Sequence, residues 1–468
     1  MKKVEMLIKK IYGKEYSNLI LSKNIVEVDV NDSGYHVIYN RLLNTPLILD
    51  HEGLEYIHNN MGMKLANGES YKTKEFLEQL ISSYIYIPNE LCEKNLIERG
   101  KKRHLKSFSE GKYINMLDLR ISEECNFGCK HCIAGKAMTG AIMSFDTAKS
   151  IIDTYISFKE RIDSSFDTLN IHFGIAEPLL NYKVIKDVIA YINSRYSYLN
   201  TIFSLNTNLS LLTKDMAAYF RNNKVNLHVS IDGLERCNDL IRISKDGKGT
   251  FSLINEKMKI LEDVDYKIHD IGVTLTDGNF DLFYKEQDEF IGWCKNKEIK
   301  EVACEFDLIN SMHISTEKKV EFLNSFIDKM AEDNIDFDGT WSIPHRNLVN
   351  GTYSETAFAF CRGASGANIS VDRNYDIYIC SCSSEHICSL SDLDKEVQEG
   401  GKFYNFVNEH LMGNKLLCKG CALEGCCVGQ CNVTNEYNKP HKFKEQCDFY
   451  IAMTNEMLKR DVKHMLNR

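Results

Sequence analysis

The chain reads as an α/β fold: a parallel sheet flanked by helices, with a small module before it and a cysteine-rich segment after it. Three observations carry this prediction. Between residues 114 and 335, short β-branched runs alternate six times with stretches of helical period. About a hundred residues of different rhythm precede that region, and beyond residue 335 regular elements thin out while cysteines accumulate.

In the leading segment, "NIVEVDVNDSGYHVIYN" predicts a hairpin turning at Asn31-Asp32-Ser33-Gly34, and "KEFLEQLISSYIYI" predicts an amphipathic helix running into a strand. Residues 1–105 are expected to form a winged-helix-like module. In the central segment, "NMLDLRIS", "TLNIHFGI", "TIFSLNTN", "VNLHVSID", "IHDIGVTLT" and "VACEFDLI" read as strands, each followed by a helical stretch. Six successive βα units imply either an open doubly wound sheet or a curved partial barrel. Both place an active site at the carboxyl ends of the strands. Residues 336–360 read as a linker, 361–447 as a cysteine-rich domain and 448–468 as a terminal helix.

A chain of 468 residues has room for two or three domains. Its 57 basic and 66 acidic residues give a net charge of -9, which argues against a nucleic-acid partner. The opening "MKKVEMLIKKIYG" is broken by Glu5, Lys9 and Lys10 and does not read as a signal peptide. No stretch approaches the ~18 consecutive apolar residues of a membrane helix. The expectation is therefore a cytoplasmic protein with no membrane contact, where disulfides are not the reason for 17 cysteines. Three of them fall at 125–132, four at 361–388 and five at 418–431, with Cys447 after these. Clustered thiolates in a reducing compartment point to metal. Cys92, Cys237, Cys294 and Cys304 are scattered and read as small buried hydrophobes.

The stretch "EECNFGCKHCIAG" sets Cys125, Cys129 and Cys132 in the loop after the first predicted strand. Three thiolates can hold three corners of a 4Fe-4S cube and leave one iron open; a zinc or disulfide cluster is the alternative. The spacing resembles the signature of radical S-adenosylmethionine (SAM) enzymes, whose open iron binds SAM. The residue before the third cysteine is usually aromatic in that family. Here it is His131, a flat ring that could serve beside the adenine, an exposed polar histidine being the alternative.

The resemblance extends to further positions. "HFGIAEPLLN" is similar to the family's Gly-Gly-Glu-Pro strand end, which makes Glu177 a candidate for the SAM amino group, although Ile175 and Ala176 replace the glycines. Alone, a Glu-Pro pair would mark only a strand end. The third and fourth predicted strands imply SAM contacts from Ser204 and Asn208, from Ser230 near the ribose, and from Arg242 near the carboxylate. Each of these polar residues could otherwise be a strand-end cap.

Cys418, Cys421, Cys427 and Cys431, preceded by Cys361 and Cys380 and followed by Cys447, resemble the seven-cysteine SPASM extension of peptide- and protein-modifying radical SAM enzymes. Zinc is the alternative, since Cys-x2-Cys pairs are common zinc ligands. The resemblance implies two auxiliary 4Fe-4S clusters, making three in all. One would be held by Cys418, Cys421, Cys427 and Cys447, the other by Cys361, Cys380 and Cys431. The second set is one ligand short: its iron is open, or Cys382, Cys388 or Cys426 completes it. The usual glycine before the second cysteine is absent, with Tyr375 near that place. Sulfatase maturases carry an aspartate proton acceptor directly after that cysteine, where this chain has Ser381.

The resemblance implies a fold, a partial (β/α)6 radical SAM barrel between the winged-helix-like module and the SPASM domain. It also implies a function: a maturase of ribosomally made peptides that cleaves SAM to a 5'-deoxyadenosyl radical, abstracts hydrogen and installs a thioether or a side-chain carbon-carbon or carbon-oxygen link. The implied partners are a precursor peptide, whose leader the first module could capture by β-addition, and an electron donor such as flavodoxin or ferredoxin. A plain structural cap is the alternative for that module. The alternatives for the whole chain are a maturase of a protein substrate, of sulfatase or dehydrogenase-subunit type, a peptide epimerase, and a non-catalytic iron-sulfur or peptide-binding homologue.

Overall fold

The computed structural model describes residues 2–30, 33–59, 62–64, 71–268, 270–351, 359–437 and 439–467. The first module comprises α1 (Lys2–Tyr12), β1 (Asn18–Leu21), β2 (Ile25–Val30), β3 (Tyr35–Asn40), β4 (Asn44–Asp50), α2 (His51–Asn59), β5 (Gly62–Lys64), α3 (Tyr71–Ser82), β6 (Tyr86–Ile87) and α4 (Glu90–Ser109). β2, β3 and β4 form an antiparallel meander in which Val30 lies opposite Tyr35. Asn31 and Asp32, half of the expected hairpin turn, lie outside the described residues. β1 pairs antiparallel with both β5 and β6. Between these layers sits a core of its own, including Ile8, Leu19, Ile38, Leu54, Leu80 and Tyr86. The boundary at residue 105 falls inside α4, whose Asn89 cap accepts from Cys92 N–H and whose last turn carries on to Ser109.

The central region runs β7 (Met116–Arg120), α5 (Phe145–Ile162), β8 (Thr168–Gly174), α6 (Tyr182–Arg195), β9 (Asn200–Thr207), α7 (Lys214–Asn222), β10 (Asn226–Ser230), α8 (Glu235–Ile241), α9 (Phe251–Asp263), β11 (Asp270–Leu275), α10 (Phe280–Asn296), β12 (Glu301–Phe306) and α11 (Thr316–Glu332). β7 to β12 coincide with the six strands expected from sequence, and each pairs in parallel with its neighbour in chain order. A doubly wound sheet reverses direction at a switch point. This one does not, so it is singly wound, in the manner of a partial barrel. Burial alternates along the strands: Leu169, Ile171 and Phe173 of β8 are buried, while Asn170 and His172 between them are half-buried. β11 and β12 repeat the pattern. The outward faces therefore bury aliphatic side chains against helices, and the inward face is polar.

Residues 336–350 of the expected linker instead carry regular structure. β13 (Asp336–Asp338) adds a seventh parallel strand beyond β12, and α12 (Ile343–Asn350) follows it. Residues 352–358 lie outside the described residues. At the opposite edge β14 (Asn368–Val371) pairs in parallel with β7, and β15 (Asp376–Tyr378) and β16 (Cys388–Ser389) continue the sheet antiparallel. The cysteine-rich segment thus shares the barrel's sheet. After α13 (Leu393–Glu396), α14 (Lys402–His410) and α15 (Asn432–Glu436), the last helix, α16, spans Pro440–Leu466. It starts before residue 448 and carries Cys447, because Pro440 is compatible with a first helical turn.

The first module docks on the cysteine-rich region: Gly425 N–H donates to the Arg41 carbonyl at 2.7 Å, and Arg41 Nη1 to the Gly420 carbonyl at 3.1 Å. Among the described residues no helix is long and apolar enough to cross a membrane.

Candidate active site

The loop after β7 is held by its backbone. Gly128 N–H donates to the Ile243 carbonyl (2.7 Å) and Lys130 N–H to the Ile241 carbonyl (3.1 Å), which ties the loop to the chain following α8. Cys125, Cys129 and Cys132 thereby line one cavity of about 240 Å³ at the carboxyl ends of the strands. Asn208 Nδ2 lies 3.7 Å from Cys125 Sγ, and Arg242 Nη1 lies 3.7 Å from Cys129 Sγ. Burial pushes all three thiols up, Cys129 to about 12, and Arg242 opposes the rise at Cys129 and Cys132. Thiols that are costly to ionise alone, yet met by N–H donors and a guanidinium, are a donor set suited to thiolate ligation of a cluster. Among the described residues no three His, Cys, Asp or Glu groups converge as the ligands of a single ion do.

His131, Asn208, Ser230 and Arg242 line the same cavity. His131 is 8% exposed, so it is not the exposed polar histidine weighed as the alternative. Its Nε2 lies 3.4 Å from both Asp232 Oδ2 and Arg242 Nη2, its Nδ1 has no partner, and burial holds its pKa below the usual value.

Two expectations are corrected. Ser204 is not on the cavity lining. It lies deeper in the barrel, where its hydroxyl pairs with His172 Nδ1 at 2.9 Å, and Asn206 takes the lining position two residues further along β9. Glu177 is also absent from the lining and is fully buried. Its carboxylate accepts from Thr207 Oγ1 (2.7 Å), Asn208 N–H (2.8 Å) and Leu179 N–H (3.0 Å), and so holds the end of β9. Burial pushes its pKa up to about 7, against these hydrogen bonds.

The missing glycines are compensated by conformation. Ile175 (φ 62°) and Ala176 (φ 51°) both take the left-handed backbone that glycine adopts without strain. Just before them, a Cβ at Gly174 would lie 2.1 Å from Asp118 Oδ1, so any larger residue must displace that buried side chain.

Sequence reasoning missed Asp232, Asn206, Thr274 and Glu305. Buried Asp232 accepts from Arg242 Nε (2.9 Å), Arg242 Nη2 (3.1 Å) and Thr274 N–H (2.8 Å). The other three line the cavity from the inward faces of β9, β11 and β12. Period-two alternation continued from Ser230 or Asn208 was the available signal.

The C-terminal thiols form two neighbourhoods. In one, burial and then Cys421 and Cys418 raise Cys447 to about 11, while burial and then Cys447 and Cys418 act on Cys427. In the other, burial and then Cys382, Cys431 and Cys361 raise Cys380. Of the three spare cysteines, Cys382 stands beside this second set and also packs with Cys132, Ala134 and Ile175. Cys388 is buried beside Glu396, and Cys426 donates to the Leu423 carbonyl at 3.6 Å. Arg120 of β7 clamps the Cys380 loop: Nη2 donates to the carbonyls of Cys380 (3.0 Å) and Ser383, and the guanidinium lies 3.5 Å over the Tyr378 ring.

Residues 119–281 match the radical SAM superfamily. The radical SAM cyclopropyl synthase TigE of Paramaledivibacter caminithermalis is 22% identical over 480 residues, covering 95% of this chain and 96% of its own. The cysteine-type anaerobic sulfatase-maturating enzyme of Clostridium novyi is 24% identical over 358 residues, covering 70% and 91%. The crystal structure of Streptococcus suis SuiB bound to precursor peptide SuiA superimposes with a TM-score of 0.52 at 14% identity, covering 90% of this chain and 97% of that one, a likeness of fold. The chain therefore carries a radical SAM domain over residues 119–281, the stretch that supplies most of the three-thiol cavity, and is a radical SAM enzyme, working with SAM and a 4Fe-4S cluster.

Proposed function

We propose that the protein is a maturase of a ribosomally made peptide that closes a covalent side-chain link. The observation that carries this reading is the joining of the three-thiol cavity to the Cys361, Cys380 and Cys431 neighbourhood through one sheet, which runs from β7 through β14 to β15, with the Cys418, Cys421, Cys427 and Cys447 group beyond it in the same C-terminal region. Cys125, Cys129 and Cys132 would hold a 4Fe-4S cluster with one open iron. When bound, that cluster and SAM supply a 5'-deoxyadenosyl radical able to abstract hydrogen from a peptide. Asn208 and Arg242 lend N–H donors to the sulfurs, and Asp232 fixes the guanidinium. His131, Ser230 and Arg242 line the space for SAM, and Glu177 orients Asn208 from behind.

Cys418, Cys421, Cys427 and Cys447 would hold one auxiliary cluster of a SPASM domain, and Cys361, Cys380 and Cys431 a second. A precursor peptide and a flavodoxin or ferredoxin are the proposed partners, with residues 1–105 as a winged-helix-like leader-binding module. The TigE relative, aligned along nearly the whole chain and named for a cyclopropyl product, favours a carbon-carbon link. Ser381 after Cys380 weighs against the sulfatase-type reaction.

The test is co-expression with the short peptides encoded by the open reading frames adjoining the gene, followed by mass spectrometry. Loss of two hydrogens per link, together with 5'-deoxyadenosine from the anaerobically reconstituted enzyme, supports the reading. A fully clustered enzyme that cleaves no SAM, or a peptide that returns unchanged, overturns it.

A further inference from the structure

Closing a link between a substrate carbon radical and an X–H group breaks the X–H bond and releases one proton and one electron. No aspartate follows Cys380 to take that proton, because Ser381 stands there. Among the described residues lining the three-thiol cavity, Glu305 is the one carboxylate.

Glu305 sits near the carboxyl end of β12. Along that strand Val302, Cys304 and Phe306 are buried outward, while Ala303 and Glu305 are half-buried on the inward face. Its two oxygens are aligned by one residue: Oε1 accepts Thr340 N–H at 2.6 Å and Oε2 accepts the Thr340 hydroxyl at 2.6 Å. Since the Thr340 hydroxyl proton is used there, the Tyr450 hydroxyl, 3.0 Å from Thr340 Oγ1, donates to it. Tyr450 is buried on α16, with the Cys427 and Cys431 thiols among the groups acting on it. A hydrogen-bonded row therefore runs from the three-thiol cavity to Tyr450, which lies within electrostatic reach of the Cys427 and Cys431 thiols.

We propose that Glu305 is the proton acceptor of the bond-forming step, with Thr340 and Tyr450 as positioning residues. The inference rests on the maturase reading above. The carbon radical and X–H close a C–X bond; the X–H proton moves to a Glu305 carboxylate oxygen, and the remaining electron passes to a one-electron acceptor of the iron-sulfur class held by the C-terminal thiols. Burial pushes the Glu305 carboxyl up to about 7, with the Thr340 bonds opposing and Asp338 adding to the rise. A group poised near neutrality can both take up and release a proton there.

The experiment compares wild type, Glu305→Gln and Glu305→Asp as anaerobically reconstituted holoenzymes, with the precursor peptide that the co-expression test above identifies as substrate. The measured quantity is linked product per 5'-deoxyadenosine formed, checked against iron content and SAM affinity. Glu305→Gln is expected to keep iron, SAM binding and hydrogen abstraction while the ratio falls by about 10²-fold or more, and Glu305→Asp to restore part of it. An unchanged ratio in Glu305→Gln overturns the inference alone. So does joint loss of SAM binding and 5'-deoxyadenosine, which would assign Glu305 to the cofactor site. A wild-type enzyme that leaves the peptide unlinked overturns the maturase reading, and this inference with it.

Discussion

Asp232 and Arg242 face each other as a buried two-pronged ion pair, with contacts of 2.9 and 3.1 Å, and the same guanidinium reaches to 3.7 Å from Cys129 Sγ. The aspartate is what allows a guanidinium to sit in the cavity wall, because a buried charge without a partner is costly. Asp232→Ala leaves that charge uncompensated and is expected to destabilise the protein by about 3–5 kcal/mol. Denaturant unfolding of the apoprotein measures the cost. A loss under 1 kcal/mol would mean water replaces the carboxylate.

The left-handed residues at the end of β8 make opposite predictions. Ala176 has little side chain to lose and pays the strain of φ 51°, so Ala176→Gly is expected to stabilise by about 1 kcal/mol. Ile175 bears the same strain but buries its side chain against Ala134 and Ala137, and Ile175→Gly is expected to destabilise by about 2 kcal/mol or more. Equilibrium unfolding of the pair distinguishes strain from packing, and two shifts of the same sign would contradict the account.

Arg120 joins the first barrel strand to the loop carrying Cys380. A lysine cannot reproduce its donations to the Ser370 hydroxyl (3.3 Å) and the Cys380 carbonyl together with stacking on Tyr378. Arg120→Lys is expected to cost about 2–3 kcal/mol and, if the proposed auxiliary clusters are held there, to lower iron content at the C-terminal thiols while the three-thiol site still fills. Mössbauer spectra of reconstituted protein resolve the two populations. Equal loss from all sites would count against a local role.

Stability should depend on pH through His228, which lies 2.6 Å from Asp270 and whose pKa is raised, first by that hydrogen bond and then by the charges of Asp270 and Glu301, against the opposing effect of burial. The folded protein therefore holds the proton more tightly than the unfolded chain. The stabilisation is complete below the unfolded value of about 6.5 and is lost as pH rises through the raised folded value. Asp270→Asn should flatten the curve in that window. Denaturant midpoints taken across the window at fixed salt measure the difference, and parallel curves would remove His228 from the account.

The six βα units were legible because strand and helix periods are written within single elements, and the three-thiol loop because its spacing lies within a dozen residues. Register was harder. Ser204 and Asn206 share the inward face of β9, and the sequence cannot tell which of two positions on one face reaches the rim, since that depends on the stagger of neighbouring strands. Glu177 was found as a residue but its direction was not legible, because it is set by hydrogen bonds from Thr207 and Asn208 at the end of β9 as well as from Leu179 in its own turn. The structured 336–350 stretch was missed because β13 is three residues long and its pairing with β12 is what makes it a strand.

On its own the sequence determined the local chemistry: which segments are strands and helices, and where thiols gather. Only the tertiary structure decided which side chains meet in the cavity. It brought Glu305 from the sixth strand into the cavity that Cys125 of the first loop also lines, seated Asp232 against Arg242, and set Cys382, but not Cys388 or Cys426, beside the Cys380 group. Those outcomes depend on strand order and on how far each strand climbs past its neighbour, which arise from packing over the whole sheet and leave no periodic mark in any one segment.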